Sequence, residues 1–213
     1  MADLEFFFDC SSPWTYLAFR NVQPMARELG AKIRWRPILA GGVFNAVNPT
    51  VYAARSNPVP AKKAYSVKSM KAWASLAGIA INPAPTVFPV NSVKVMRGCL
   101  AAEPQGKLVE FARLAFEAYW GDDQDLSRDD VIRGICAKAG VDADALLAAI
   151  AQPAIKDALR ANTDELIARG GFGSPTFFVG GDDMYFGNDH LPLVRACLQA
   201  RDVWSQASPR RQQ

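Results

Sequence analysis

The chain has 213 residues, of which 50% are hydrophobic and 21% are charged, and its formal net charge at pH 7 is only +3. This composition is typical of a globular protein with a substantial core. Because the positive and negative charges nearly balance, the sequence excludes a basic surface for binding nucleic acid or an anionic membrane. No apolar run reaches membrane-spanning length, residues 1–5 lack the basic start of a signal peptide, and the four cysteines form no C-x-x-C pair. We therefore expect a cytoplasmic protein with no metal site and no dithiol centre.

The N-terminal segment predicts a β-α-β unit. Residues 4–9 form a nearly continuous apolar run, which is typical of a central buried strand. Apolar residues then recur with helical spacing over residues 18–29, where Pro24 should kink the helix and Gly30 should end it. Residues 32–36 alternate between polar and apolar types and predict the second strand.

The middle of the chain predicts helices behind one long loop. Residues 40–60 are rich in Gly, Pro and Asn, which indicates a loop. Helical patterns then continue to residue 169. Ser127 and Asp130 form a candidate capping box for a helix that ends at Gly140.

The C-terminal segment returns to strand character. Residues 174–179 and 184–186 flank a Gly-Gly-Asp-Asp turn, which predicts an antiparallel hairpin. Asn188 and Asp189 can cap a final helix. The polar tail after Trp204 is expected to fray.

A serine hydroxyl stands at the start of the first helix. Pro13 at the first helical position loses no intrahelical hydrogen bond, and Ser12 can cap the free N–H groups. Such a helix start stabilises an anion and would lower the pKa of a thiolate held beside Ser12. No side chain nearby is an obvious source of that thiolate, since the lone Cys10 fits a small buried residue better.

The order β-α-β, helical segment, β-β-α resembles the thioredoxin fold with the helical insertion of DsbA-type disulfide oxidoreductases. The resemblance implies an α/β fold with a thioredoxin-like domain of residues 1–40 and 171–213 and a helical insertion of residues 41–170. Those enzymes carry a C-P-x-C motif where this chain has Ser12-Pro13-Trp14-Thr15. Because hydroxyl residues replace both cysteines, dithiol redox chemistry is excluded at this position.

Five segments, in their order and spacing, carry a closer resemblance that covers nearly the whole chain. They are Phe8-Asp9-Cys10-Ser11-Ser12-Pro13-Trp14-Thr15-Tyr16-Leu17-Ala18, Pro60-Ala61-Lys62-Lys63-Ala64-Tyr65 with Trp73, Phe88-Pro89-Val90-Asn91-Ser92, Gly173-Ser174-Pro175-Thr176, and Phe186-Gly187-Asn188-Asp189. Together they resemble the 2-hydroxychromene-2-carboxylate isomerase family and its relative, kappa-class glutathione transferase.

The resemblance implies glutathione as the cofactor, with Ser12 beside its sulfur as the catalytic residue. The implied glutathione contacts are Ser12, Ser174, Phe186, Gly187, Asn188, Asp189 and Lys62. Pro175 is implied to be a structural cis-proline. Two plain alternatives stay open: Asn188 and Asp189 can be an ordinary helix cap, and Lys62 can belong to a solvated face.

The implied substrate contacts depart from the family. They are Phe44, Asn57, Val90 and Asn91. The family has a lysine where Phe44 stands and a tyrosine where Val90 stands, and Arg55 or Lys63 is a candidate replacement for the lost cation. His190 stands where the family commonly has arginine, and both an exposed first-turn histidine and a general base are open readings.

The resemblance therefore implies a glutathione-dependent isomerase that interconverts 2-hydroxychromene-2-carboxylate and trans-o-hydroxybenzylidenepyruvate, or a related aromatic 2-oxo acid, in aromatic hydrocarbon degradation. The expected partner is a small aromatic molecule, and a homodimer is left open. One alternative is a kappa-like glutathione transferase or peroxidase. Another is a redox-inactive thioredoxin-fold module that binds peptides at the Ser174-Pro175 edge.

Overall fold

The computed structural model describes the backbone of residues 3–207 as a small mixed sheet with helices packed on it. The strands are β1 (Asp3–Phe8), β2 (Lys32–Pro37), β3 (Thr176–Val179) and β4 (Asp183–Phe186). The helices are α1 (Pro13–Glu28), α2 (Ala40–Val47), α3 (Thr50–Ser56), α4 (Pro60–Ala77), α5 (Val93–Ala102), α6 (Leu108–Phe116), α7 (Asp129–Ala139), α8 (Ala143–Ile150), α9 (Pro153–Ala168) and α10 (Leu191–Ala207). Within that part of the chain, no helix is both long enough and apolar enough to cross a membrane.

The sheet joins the two ends of the chain. Its strand order is β2-β1-β3-β4, with β1 parallel to β2, β1 antiparallel to β3, and β3 antiparallel to β4. Phe6, Phe7 and Phe8 of the central strand are fully buried, because helices cover both faces of the sheet. The predicted α/β thioredoxin-like fold with a helical insertion, its β-α-β start and its C-terminal hairpin are confirmed.

The register between β1 and β3 positions the site. Phe7 pairs with Thr176, so the turn after β1 lies beside the two residues that precede β3. These two residues are Ser174 and Pro175. The antiparallel pairing therefore brings the start of α1 next to a segment about 160 positions later in the sequence.

A buried tryptophan connects the helical insertion to the same turn. The fully buried Trp120 donates its indole Nε1–H to the carbonyl oxygen of Cys10 at 2.9 Å. Phe116, one turn earlier, stacks on Tyr16 of α1 with ring centroids 5.2 Å apart. The insertion thus packs directly on the helix that begins at the motif.

Two local predictions are wrong. Residues 40–60 form α2, α3 and the start of α4 rather than a loop. Gly42 is needed in α2 for close packing, because a Cβ there would lie 3.3 Å from the methyl group of Thr163 on α9. The capping box is also absent, since Arg128 holds the cap position of α7 and the Ser127 N–H donates to Asp125.

Other boundaries agree with the sequence. Gly140 caps α7 with a left-handed φ of +67°, which a glycine adopts without the penalty of a Cβ. Pro24 lies inside α1, which continues to Glu28. α10 extends to Ala207, and residues 208–213 of the predicted polar tail lie outside the described residues.

A cluster of charged groups attaches α9 to the sheet. Glu5 of β1 accepts a hydrogen bond from Arg169 at 2.8 Å and lies 3.6 Å from Arg36, which also pairs with Glu165 of α9. The guanidinium of Arg169 packs 3.7 Å from the ring centroid of Phe178. Because these charges are largely buried, each depends on its partners.

We expect Glu5→Ala to lower the free energy of unfolding by about 2 kcal/mol, because Arg36 and Arg169 each lose a largely buried partner and keep only Glu165. The Glu5 side chain is only 14% exposed. Urea unfolding followed by circular dichroism measures the change. The matched control is Glu28→Ala, whose carboxylate pairs with Arg195 but is 63% exposed, so little change is expected there. Equal losses in both variants would contradict the burial argument.

Candidate functional site

The predicted helix start at Ser12 is confirmed. Ser12 is the N-cap of α1 with extended backbone angles, Pro13 follows at the first helical position, and the Ser12 Oγ accepts the Thr15 N–H at 3.2 Å. The same hydroxyl donates to the Ser174 carbonyl oxygen at 3.4 Å. Ser12 therefore lies at the positive end of the α1 dipole and against the segment that precedes β3.

Ser174 connects the motif to β3. Its peptide bond to Pro175 is cis, as the resemblance implied. Its buried hydroxyl accepts the Asp9 N–H at 3.1 Å and lies 2.8 Å from the Thr15 hydroxyl. Both hydroxyl residues that stand in place of the motif cysteines, Ser12 and Thr15, thus bond to this one residue.

A buried carboxylate, that of Asp9, stabilises the turn after β1. Asp9 is 1% exposed, and its two oxygens accept the N–H groups of Ser11 at 2.9 Å and Ala40 at 2.8 Å. Burial raises the pKa of Asp9, while hydrogen bonds from Ser11, Ala40 and Ser92 oppose that rise. Sequence reasoning missed this role, although an acid at the end of an apolar strand was a signal for it.

The raised pKa gives a pH-dependent prediction for Asp9→Asn. Ionisation of Asp9 is less favourable in the folded protein than in the unfolded chain. The wild type therefore loses stability as pH rises from the pKa of Asp9 in the unfolded chain to its higher pKa in the folded protein. The variant lacks this ionisable group. The free energy of unfolding of the wild type minus that of the variant should therefore fall from acidic pH, below about 3.9, toward neutral pH. Urea unfolding at a series of pH values measures this difference.

Asp130→Asn is the control with the opposite sign. Arg128 lowers the pKa of the exposed Asp130 through a side-chain hydrogen bond, so that carboxylate contributes stability that is lost as pH falls. The two variants should therefore give slopes of opposite direction. If the wild type instead becomes more stable relative to Asp9→Asn as pH rises, folding lowers the pKa of Asp9.

A cleft of about 560 Å³ lies beside the cis peptide. Its lining residues are Trp14, Tyr65, Ser69, Trp73, Ser174, Pro175, Phe186, Gly187, Asn188, Asp189 and His190. The structure thus brings Ser174 and the four predicted residues 186–189 together. Ser12 is half-buried and borders this space through its neighbours rather than lining it.

The opposite wall of the cleft comes from α4. Tyr65, Ser69 and Trp73 are spaced by four residues and so lie on one face of that helix. With Trp14 they are lining residues that the sequence-based assignment of the site omitted. The signal available was this spacing together with the position of Trp14 inside the motif.

Asn188 presents an unused donor at the cleft. Asn188 is 3% exposed; its amide oxygen accepts from Asn21 at 2.9 Å, while its buried Nδ2 has no hydrogen-bond partner in the described part of the protein. Its side chain therefore does not act as the simple helix cap that was left open. Gly187 has a φ of +103°, and its N–H donates to the Pro175 carbonyl at 3.0 Å. This bond fixes residues 187–188 against the cis-proline.

His190 and Asp189 lie together at the rim. The His190 Nδ1 is 3.5 Å from an Asp189 carboxylate oxygen, and both side chains are substantially exposed. The histidine therefore lies directly before α10 rather than in its first turn, and it has an acidic neighbour that the spacing had not implied.

The remaining predicted residues lie outside this cleft. Lys62 is exposed in the first turn of α4, and Asn57 is the exposed C-cap of α3. Phe44 is on α2, beside Gly173. Val90 is buried in the core, and the exposed Asn91 accepts the Val93 N–H at 3.1 Å. Their assignments to glutathione or substrate stay predictions.

Cys10, the cysteine of the motif segment, does not supply a thiolate to this site. Cys10 is fully buried, and burial together with the neighbouring Cys99 thiol raises its pKa well above the usual value. The expectation that Cys10 is a small buried residue is confirmed. Among the described residues, no group of three or more His, Cys, Asp or Glu side chains is arranged to hold a metal ion.

The fold and site define a thioredoxin-fold protein with a DsbA-type helical insertion and hydroxyl groups in place of the motif thiols. The DSBA-like thioredoxin domain model matches residues 3–199, and the chain belongs to that family. It is similar to the 2-hydroxychromene-2-carboxylate isomerase of Pseudomonas sp. (strain C18), with 30% identity over 202 residues that cover 94% of this chain and 92% of the relative.

Two further comparisons agree. Human "Glutathione S-transferase kappa 1" is 25% identical over 214 residues, which cover 92% of this chain and 90% of that protein. A solved structure of a 2-hydroxychromene-2-carboxylate isomerase superposes with a TM-score of 0.80 at 24% identity, covering 97% of this chain and all of the other. The structural likeness shows the shared fold, and the sequence relatives are isomerases and glutathione transferases.

Proposed function

We propose that this protein is a glutathione-dependent isomerase that acts on 2-hydroxychromene-2-carboxylate or a related aromatic 2-oxo acid. The observation that carries the proposal is the hydrogen bond of Ser12 to Ser174, which lines a cleft together with Asn188, whose buried Nδ2 has no hydrogen-bond partner among the described residues. A cleft of this kind has donors for an anionic peptide and no thiol of its own.

The residues present fit glutathione. A short peptide can pair with the backbone beside cis-Pro175, as an added strand pairs with a sheet edge. The buried Nδ2 of Asn188 is a free donor for the carboxylate of the γ-glutamyl end, and Asp189 is an exposed acceptor for its ammonium group. The positive end of α10, which begins at Leu191 just after this segment, also favours a carboxylate there.

When bound, glutathione would supply a thiolate nucleophile for reversible addition to a conjugated carbon, chemistry in which the thiolate leaves again as the double bond is restored. Ser12 would act as a hydrogen-bond donor to that sulfur and not as a nucleophile, with its single hydroxyl proton turning from the Ser174 carbonyl to the ligand. The positive end of α1 further stabilises the thiolate form. Thr15 and Ser174 keep the Ser12 region in place through their shared hydrogen bond.

The lining of the cleft suits a planar aromatic substrate. Trp14, Tyr65 and Trp73 offer aromatic faces that can stack on a planar substrate and exclude water from it. The buried Asp9 has both oxygens occupied by backbone N–H groups, so its role is to hold the turn.

The competing function is glutathione transfer, or peroxidase chemistry, with the same thiolate. It is favoured by the similarity to kappa-class transferases. Ultraviolet spectra of 2-hydroxychromene-2-carboxylate with enzyme, recorded with and without glutathione, separate the two. Isomerase activity that requires catalytic glutathione supports the proposal, whereas consumption of glutathione by electrophiles without isomerisation supports the transferase.

Glutathione binding itself is tested by calorimetry. Saturable binding below millimolar concentration is expected if Asn188 and the residues before β3 form its site. A protein that shows no binding at millimolar glutathione is instead a redox-inactive binding module, and both enzyme assignments fail.

Ser12→Ala should lower kcat about 100-fold, because one donor to a developing anion is lost. The pKa of the bound thiol should rise, since the thiolate loses the hydrogen bond that favours it. Steady-state kinetics and the ultraviolet absorbance of the thiolate across pH measure both effects. Ser75→Ala, an exposed hydroxyl on α4, is the matched control and should leave both values unchanged. Unaltered turnover of Ser12→Ala at neutral pH would remove Ser12 from the catalytic role.

A further inference from the structure

One side-chain hydrogen bond fixes which end of the Asn188 amide is free at the cleft. Asn21, on α1, donates its Nδ2–H to the Asn188 Oδ1 at 2.9 Å. Asn188 is 3% exposed, and its own Nδ2 has no hydrogen-bond partner among the residues that the structure describes. An amide group has an acceptor at one end and donors at the other, so occupation of the oxygen by Asn21 leaves the donor end for a ligand.

The two asparagines belong to elements that are distant in sequence but adjacent at the cleft. Trp14, which lines the cleft, and Asn21 are at positions i and i+7 of α1 and so lie on one face of that helix. The backbone before Asn188 is fixed by the Gly187 N–H, which donates to the Pro175 carbonyl oxygen at 3.0 Å. The backbone therefore places Asn188 at the cleft, and Asn21 sets the rotation of its amide.

The charges around Asn188 are already compensated. Asn188 also lines a smaller cavity of about 310 Å³, whose arginine, Arg195, donates from both terminal nitrogens to Glu28 at 2.7 Å. In the cleft itself, an Asp189 carboxylate oxygen lies 3.5 Å from the His190 Nδ1. A ligand carboxylate beside Asn188 therefore depends on N–H donors, and the rotation of the amide decides whether it meets a donor or an oxygen lone pair.

We propose that Asn21 is a positioning residue, which holds the Asn188 amide with its nitrogen toward the cleft so that this end of the cleft selects a carboxylate. The opposite rotation would present an oxygen, which repels a carboxylate. Loss of the Asn21 donor would remove the preference between the two rotations, because neither would then have a partner for the end turned away from the ligand. The inference rests on the proposed function, which places the γ-glutamyl carboxylate of glutathione at Asn188, and adds the residue that makes Asn188 a donor there.

The test compares glutathione with γ-aminobutyryl-cysteinyl-glycine, a peptide that lacks only the α-carboxylate of the γ-glutamyl residue. Calorimetry measures the binding of both peptides to the wild type and to Asn21→Leu. The wild type should bind glutathione more tightly than the analogue. Asn21→Leu should weaken glutathione about tenfold and leave the analogue unchanged, since only the α-carboxylate uses the Asn188 donor. Asn21→Ala, which suits a helix interior, should give the same pattern.

A double-variant cycle shows whether Asn21 acts through Asn188. Asn188→Leu should weaken glutathione, and the addition of Asn21→Leu to that variant should cause no further loss. Losses that add would indicate that Asn21 acts independently of Asn188, and they would overturn the positioning role.

Gln23→Leu is the matched control. Gln23 is half-buried on the same helix, and its amide donates to the Phe19 carbonyl oxygen at 2.8 Å rather than to Asn188. This variant should bind both peptides as the wild type does. Equal weakening of glutathione and the analogue in Asn21→Leu, no weakening of either, or a selective loss in Gln23→Leu would each contradict the proposal.

Nuclear magnetic resonance of the ligand-free protein separates this inference from the proposed function. We expect a scalar coupling across the hydrogen bond, from the Asn21 side-chain nitrogen to the Asn188 side-chain carbonyl carbon. A coupling in the reverse direction, from the Asn188 nitrogen to the Asn21 carbonyl carbon, would show that the amide presents its oxygen to the cleft and would overturn the proposal. If the wild type binds no glutathione, the proposed function fails, and the coupling still decides whether Asn21 orients Asn188.

Discussion

The antiparallel pairing of β1 with β3 is the constraint on which the site depends. It brings the turn after β1 against the residues before β3, where Ser174 accepts the Asp9 N–H and contacts Thr15, while its carbonyl accepts from Ser12. None of these groups is near the others in sequence except within the motif. A slip of the strand register by one residue would turn every side chain of β3 to the opposite face and separate these partners.

The turn after β1 has hydroxyl groups where related folds have thiols. It therefore has a helix start that stabilises negative charge but no ionised thiol of its own. The positive end of α1 stabilises negative charge, yet the nearest thiol, Cys10, is buried and kept neutral by its surroundings. The one carboxylate beneath the turn, Asp9, has both oxygens occupied by backbone N–H groups. An anion stabilised by this helix start must therefore come from a ligand. This agrees with the sequence similarity to a glutathione S-transferase.

Most features governed by local rules were predictable from the sequence, with the capping box at Ser127 as the exception, and features governed by distant contacts were not. The Ser12 cap, the β-α-β start and the C-terminal hairpin follow from residue type and spacing over a few positions. The helix α2 does not follow from its own composition because its stability comes from contacts outside its sequence: Gly42 packs on Thr163, and the first N–H of the helix is accepted by Asp9. An acid at the end of an apolar strand is a sequence signal, but the identity of its partner is not, since Ala40 lies 31 positions away.

Gly173 allows two aromatic rings to approach each other beside the cis-proline. On one side lie the polar groups around Ser174, and on the other lie the Phe44 ring and the Arg55 guanidinium that packs on it. A side chain at position 173 would contact Phe186 at 3.0 Å, a distance at which the ring must shift. Because glycine leaves both rings undisturbed, the apolar surface continues from the cis-proline to the arginine. The shape of the surface beside Ser174 therefore depends as much on an absent side chain as on the rings that border it.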